Sequence, residues 1–505
     1  MLRAAAKLML ALVCCLGSPV ALFAQTPAGA LDPAMATKIA AIMEQWRIEN
    51  HVPGLVYGVV KDGSMLAVKG LGVQDVASKR AVDGDTLFRI ASMSKAFTAL
   101  SILKLRDEGK LSLDALAETY VPEMRGWTYP SRDSRKIRVR DLLNHTAGFV
   151  TDDPWGDRQQ PLAEAEFTKM LKAGVPFARA PGIAMEYSNF GFATLGRIIT
   201  NVSGQPYQEY IQQSLLAPLG MRETRYDVFK SPQGRRALGY RWQDAAWLRE
   251  PDMADGSFGA MGGIETSAND YARWVSFLLA AWPPRDAADT GPVLRAAVRE
   301  IVEGSNFPGG VMRPVQAGGA ACRQARTYAM GWYVVDDCDL GRMLTHGGGF
   351  PGYGSRVLLF PDKGLGVFVL TNKTYAGPMV PALKAALALQ GEGAVPDRGI
   401  AASAAVIEAY DVARAIWAAG SVSGAKERVS MNFLMDRDEA HWARELAQIK
   451  AVVGACAADE AVSPVTAMEG NFAWTCAHGR IEGTVLLAPE RTLKIQALRF
   501  TVAGQ

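Results

Sequence analysis

Ser92 and Lys95, in the stretch FRIASMSKAFTALSILK at 88–104, lie three positions apart. On a helix that spacing puts an amine one turn from a hydroxyl. A partly desolvated lysine loses proton affinity, so the two can serve as nucleophile and base. The same spacing recurs at Ser101/Lys104 and Ser423/Lys426. Ser101 falls mid-helix between Leu100 and Ile102, where a serine bonds back to the carbonyl four residues earlier. Ser423 lies in a polar turn, GSVSGAKER. Ser92 alone follows an apparent strand, TLFRIA, and begins a helix. Free N–H groups and the positive dipole end there favour a developing oxyanion. The other reading of this stretch is an N-cap serine beside a surface lysine.

Acyl transfer also needs a proton relay for the leaving group and donors for the oxyanion. Two stretches can supply them. PGIAMEYSNFGFATLGRII carries Tyr187-Ser188-Asn189. A phenol beside cations is driven toward phenolate, which makes Tyr187 a candidate general base, and Asn189 can orient both Lys95 and a substrate amide. Taken alone, Tyr187 reads as a partly buried aromatic. RMLTHGGGFPGYGSRVLLF carries His346-Gly347-Gly348-Gly349. A strand ending in His and three glycines lets backbone approach a ligand closely and offers N–H groups to an oxyanion. Its other reading is a Gly-rich turn between two strands. A Ser-His-Asp hydrolase would instead carry a Gly-x-Ser-x-Gly elbow, and no serine of the chain lies in one.

These residues belong to a chain of 505 residues, 49% hydrophobic and 21% charged, with a formal net charge of +3. That is ordinary globular composition with length for two to three domains. The basic residues are scattered, with no stripe that would fit nucleic acid. Residues 1–24 combine a positive start, an apolar run and a small residue, Ala24, as a secretory signal peptide does. An anchoring helix is the alternative, which Pro19 and the short apolar run disfavour. No later segment is long and apolar enough to span a bilayer. Cys322, Cys338, Cys456 and Cys476 remain after the leader; they permit three pairings, of which Cys322–Cys338 and Cys456–Cys476 are the simplest. The five histidines are dispersed and no zinc-site spacing occurs.

Helical spacing over 34–50 is followed by a hairpin signal turning at Asp62-Gly63. Helices are expected near 92–108, 140–145, 162–173, 190–203 and 207–216, and strands near 328–335, 343–346 and 355–371. Strands, a helical middle and strands again predict an α/β assembly whose sheet is closed by distant segments. The small, polar stretch 391–403 reads as a linker. Residues 404–505 read as a separate α+β domain with helices at 404–419 and 434–454, whose Trp417, Trp442, Trp474 and Phe472 are expected in its core.

The three motifs in this order resemble the serine β-lactamase-like hydrolases of the class C and penicillin-binding type. The flanking stretches IRVRDLLNHTAGF at 137–149 and GAMGGIETSANDYARW at 259–274 are similar to that family too. The resemblance covers about 34–390. It implies a β-lactamase/transpeptidase-like fold: an antiparallel sheet flanked by helices, plus a helical lobe. It implies Ser92 as acylated nucleophile, Lys95 and Tyr187 as proton carriers and Asn189, His346 and Gly348 as substrate-binding residues. The N–H groups of Ser92 and Gly349 would form the oxyanion hole, with no metal or other cofactor. His346 stands where class C β-lactamases have Lys, and Gly347 and Gly349 offer no hydroxyl to a substrate carboxylate. Only Arg356 can supply that charge, as a bidentate donor. The expectation is an exported, periplasmic or secreted serine hydrolase acting on a small-molecule or peptide substrate, as an esterase or D-amino-acid-type peptidase. The alternatives are a class C-like β-lactamase, a DD-carboxypeptidase, or a non-catalytic muropeptide-binding sensor.

Overall fold

The computed structural model describes residues 30–504 except 305, 314–321, 392, 394, 396, 397 and 459. The expected leader at 1–24 lies outside them, as does part of the expected linker at 391–403. Two compact units divide between 396 and 397. Among the described residues no helix is long and apolar enough to cross a membrane.

The first unit opens with helix α1, Pro33–Glu49. Asp32 caps it, its carboxylate accepting from the N–H groups of Ala34 and Met35 at 2.9 and 3.1 Å, and Pro33 occupies the first turn where no N–H is needed. The hairpin follows as β1, Gly54–Lys61, and β2, Ser64–Asp75. Asp62 and Gly63 both hold positive φ, 50° and 83°, as a tight two-residue hairpin turn requires. After β3, Arg80–Ala81, the sheet is completed from far down the chain. The later strands are β4, Asn306–Met312; β5, Arg323–Ala329; β6, Trp332–Asp337; β7, Gly341–Phe350; β8, Tyr353–Phe360; and β9, Leu365–Thr371. The nine strands run β3-β2-β1-β9-β8-β7-β6-β5-β4, each neighbouring pair antiparallel.

Both faces of the sheet are covered. Val56 and Val60 of β1 join one core with α2, Lys95–Asp107, and α4, Ala268–Leu279. Leu55, Tyr57 and Val59 join a second core with α1 and α5, Met379–Gly391. Two buried faces explain why β1 is apolar almost throughout. The helical lobe contains α3, Asn189–Ser203, with the shorter helices Val139–Leu143, Glu164–Ala173 and Tyr207–Ile211.

Two expectations change. Residues 91–94 form a tight 3-10 turn before α2 rather than its first α-helical turn. The strand carrying His346 does not end there: β7 continues through all three glycines to Phe350, paired with β8 from Leu344↔Leu359 to Phe350↔Tyr353. Strand β4 was not expected at all, because its sequence NFPGGVM holds one Pro and two Gly; it survives as an edge strand with an irregular register between Asn306 and Gly309.

In the second unit, helices Ala404–Ala419 and Glu439–Val453 accompany an antiparallel five-stranded sheet. Trp417, Trp442, Trp474 and Phe472 are buried in its core, and the Trp474 indole donates to the Tyr410 hydroxyl at 2.8 Å. Disulfides join Cys322 to Cys338 and Cys456 to Cys476, the second directly across paired strands.

Gly348 is where the sheet meets the turn at 91–94. A Cβ there would lie 2.1 Å from the Ile90 carbonyl oxygen. Gly348→Ala is therefore expected to lower stability by ~1–3 kcal/mol, as overpacking does. Chemical denaturation measures it, and unchanged stability would mean that β7 and the turn can part freely.

Candidate active site

Ser92 is buried on the turn Ala91–Ser94, and its position is fixed by the residues around it. Ala91 holds φ at 48°, a left-handed conformation that costs a non-glycine residue on the order of 1–3 kcal/mol. Surrounding bonds maintain it. The Ile90 N–H donates to Ile264 O at 3.0 Å, the Ser355 hydroxyl donates to Ile90 O at 2.9 Å, and the Ile264 N–H donates to the Ser94 hydroxyl at 3.1 Å.

Lys95 begins α2 and is fully buried. Its Nζ lies 3.0 Å from Ser92 Oγ, 2.7 Å from Asn189 Oδ1 and 2.9 Å from Met261 O. Three acceptors around one amine fix its position without a direct carboxylate partner. Burial pushes Lys95 down to about 8, although Asp157, Asp153 and Asp152 oppose the change. Neither other Ser-x-x-Lys pair is assembled. Ser101 donates to Phe97 O at 2.9 Å, Lys104 turns to Pro292 O and Glu108, and exposed Ser423 meets Ser421.

Asn189 opens α3. Ser188 caps that helix, accepting from the Gly191 N–H at 3.0 Å, while the Asp152 carboxylate accepts from the N–H groups of Asn189 and Phe190 at 2.6 and 2.7 Å. Asn189 is thereby held with Oδ1 on Lys95; its Nδ2 is buried without an acceptor among the described residues. Gly156 packs directly on this amide, since a Cβ there would fall 2.8 Å from Nδ2.

Tyr187 is half-buried beside Ser92, with Lys95 Nζ 5.0 Å from its ring centre. The phenolate expected from neighbouring cations is not what these surroundings favour. Loss of solvent, reinforced by the Tyr328 phenol, pushes Tyr187 well above its usual range. Lys95, not Tyr187, is thus the group that most readily gives up its proton. His145 brackets Tyr187: their rings are 4.4 Å apart, its Nδ1 accepts from the Ser188 N–H at 3.1 Å, and its carbonyl accepts from the Glu186 N–H at 2.8 Å.

His346 is buried on β7. Its Nδ1 lies 2.6 Å from Gly347 O and its Nε2 3.3 Å from the Tyr328 hydroxyl. A carbonyl only accepts, so Nδ1 carries the hydrogen and Nε2 accepts from Tyr328. Burial, with Lys95 nearby, pushes His346 down to about 3, so it is a neutral imidazole. The three glycines are approached closely by the protein's own groups: Gly347 by the Arg356 guanidinium, Gly348 by Ile90 O and Gly349 by the Tyr375 ring. Arg356, on β8 opposite Gly347, lies with Arg326 and Tyr333 rather than against Ser92.

The structure thus gathers Ser92, Asn189 and Tyr187 around Lys95, with the His346 ring 6.2 Å from that of Tyr187 and Gly348 against Ile90. Sequence reasoning did not single out the Met261 carbonyl, which has no side-chain signal. It also did not single out Asp152, His145 and Tyr328, which come from segments distant in sequence. One cluster of possible metal ligands occurs among the described residues, Cys322, Asp337 and Cys338, and both its sulfurs are taken by the disulfide.

Residues 31–392 match the family model described as Beta-lactamase. Protein flp of Staphylococcus aureus (strain NCTC 8325 / PS 47) is 30% identical over 345 residues, covering 66% of this chain and 62% of that protein. The chain therefore spans less than two thirds of that relative's length. An octameric penicillin-binding protein homologue from Pyrococcus abyssi shares the fold with a TM-score of 0.58 and 20% identity, over 92% of this chain and 99% of that one. The D-alanine carboxypeptidase AmpC from Burkholderia cenocepacia does so with a TM-score of 0.54 and 22% identity, over 71% and 99%.

A base must be neutral to act. The rate of Ser92 labelling by a fluorophosphonate is expected to rise with pH and level off above about 8, where Lys95 has lost its proton. A flat profile between pH 6 and 9 would remove Lys95 as the base.

Proposed function

The chain belongs to the Beta-lactamase family, and on that premise we propose that it is a serine hydrolase working through a Ser92 acyl-enzyme. The observation that carries this reading is the Lys95 amine, buried and in contact with Ser92 Oγ at 3.0 Å. In this reading Lys95 takes the Ser92 proton as Oγ attacks the carbonyl carbon of an ester or amide. The resulting oxyanion is received by the N–H groups of Ser92 and Gly349. Tyr187, which keeps its proton, gives it to the leaving group as the carbonyl bond breaks, and recovers one from protonated Lys95. Asn189 binds the acyl amide through its unpartnered Nδ2. Neutral His346 and Gly348 wall the cleft. A water then hydrolyses the ester to Ser92.

A neutral imidazole at 346 cannot attract a substrate carboxylate by charge, which supports an esterase or D-amino-acid-type peptidase over an efficient β-lactamase. Arg356 favours a second reading, a carboxypeptidase-type substrate bound by its carboxylate. We place the enzyme outside the cytoplasm, on the leader-like residues 1–24 and the two disulfides.

Intact-protein mass spectrometry after exposure to a fluorophosphonate, a penicillin and a p-nitrophenyl ester tests the reading. Wild type should gain an adduct on the Ser92 peptide and Ser92→Ala none. No adduct from folded protein would turn the assignment to a binding module. Tyr187→Phe should lower ester turnover ~100-fold or more, the range for lost acid–base catalysis. An unchanged rate would take Tyr187 out of the mechanism.

A further inference from the structure

We propose that His145 is a positioning residue for Tyr187: it holds the main chain on both sides of that tyrosine and so sets where the phenol meets the departing group. The inference rests on the acyl-enzyme reading and goes beyond it by naming what places its acid.

Two hydrogen bonds make the clamp. The Glu186 N–H donates to the His145 carbonyl at 2.8 Å, and the Ser188 N–H donates to His145 Nδ1 at 3.1 Å. The residues before and after Tyr187 are thus tied to one residue, once through its backbone and once through its side chain. The imidazole also lies 4.4 Å from the Tyr187 ring, centre to centre. Asn189 has a separate tether, since its N–H donates to the Asp152 carboxylate at 2.6 Å. Lys95 is held independently again, by Ser92, Asn189 and Met261. Loss of the clamp should therefore move the phenol and leave the Ser92–Lys95 pair in place.

Packing alone does not call for a histidine here. His145 is buried among the rings of Tyr187, Phe192 and Tyr328, at 4.4, 5.1 and 4.5 Å. A neutral imidazole that accepts at Nδ1 carries its hydrogen at Nε2. That Nε2 is enclosed without an acceptor among the described residues. An orphaned donor is a cost that phenylalanine would avoid. What phenylalanine lacks is the acceptor at Nδ1. Burial, with Lys95 and His346 nearby, keeps the ring uncharged, so Nδ1 stays free to accept. His145 also holds φ at 56°, a left-handed conformation that histidine and asparagine adopt more readily than most residues.

The clamp is itself fixed to the sheet. Asn306 of β4 donates from Nδ2 to the Asn144 carbonyl at 2.7 Å, and its Oδ1 accepts from the Tyr328 N–H at 3.2 Å. One asparagine therefore sets both the peptide that leads into His145 and the strand whose Tyr328 ring backs it.

The test uses the full chain and two substitutions. His145→Phe keeps a ring and loses the acceptor. His145→Asn keeps an acceptor near the Nδ1 position and tolerates the left-handed backbone. The substrates are phenyl esters of one acid whose leaving phenols carry p-nitro, p-chloro or no substituent. His145→Phe should lower kcat on the unsubstituted ester ~10-fold or more with KM little changed, since a reacting group misplaced by about 1 Å costs up to ~100-fold. The loss should shrink toward the p-nitrophenyl ester, whose phenolate leaves with less need of a proton. His145→Asn should recover part of it. On a Tyr187→Phe background His145→Phe should cost nothing further, as residues acting through one group do. Thermal unfolding verifies that each variant folds, and His145→Ala, which also removes the acceptor, takes the place of His145→Phe if that variant does not. Full activity of the folded acceptor-free variant would overturn the assignment. So would equal losses on all three esters, or losses that multiply with Tyr187→Phe. Absence of any fluorophosphonate adduct on wild-type Ser92 would instead overturn the acyl-enzyme reading itself.

Discussion

The site depends on enclosing the Lys95 amine. A lysine side chain taken out of water must give its donors to something, and here they go to Ser92, Asn189 and Met261. Those acceptors come from the turn before α2, the start of α3 and the segment before α4. One nitrogen therefore ties together three parts of the helical lobe. The same enclosure lowers its proton affinity, as its proposed role as a base requires.

Around this amine the ionisable groups are kept neutral or at a distance. Tyr187 and Tyr328 hold their protons, and His346 and His145 are both driven toward the uncharged imidazole by burial. Asp157 is pushed up to about 7 by burial and by the neighbouring Asp153, so near neutral pH it is itself partly protonated. Asp152 spends its oxygens on the N–H groups that open α3. Lys95 is thus surrounded by groups that burial holds toward their neutral forms.

Much of this was legible in the sequence because it depends on residue type and spacing. Ser92 and Lys95 are one helical turn apart in any helix, and the apolar spacing of 34–50 and 190–203 needs no tertiary information. Tyr187-Ser188-Asn189 was readable only in company with the other motifs. What was not legible depends on long-range packing. Met261 contributes a carbonyl, which every residue has. Asp152 caps a helix that begins 37 residues later. Arg326 is one of many arginines until β5 and β6 pair and lay it on Tyr333. The three glycines were read as room for a ligand, whereas the protein's own backbone and side chains occupy that room. The sense of the Tyr187 shift also needed the fold, since only the arrangement reveals that loss of water outweighs the nearby cation.

Gly348 gives the site its tolerance. The strand and the Ile90 carbonyl meet backbone to backbone at Gly348, and the Ser355 hydroxyl bonds the same carbonyl. Ile90 is two residues from Ser92, the proposed nucleophile, so the sheet acts as a reference surface against which Ser92 is indexed. Placement of the Ser92 backbone is then set by the sheet, and its hydroxyl by Lys95. A change that shifts Gly348 on the sheet therefore meets the Ile90 carbonyl directly, two residues before Ser92. The sheet and the turn that carries Ser92 thus share one point of fixed spacing, where the smallest residue is the one that fits.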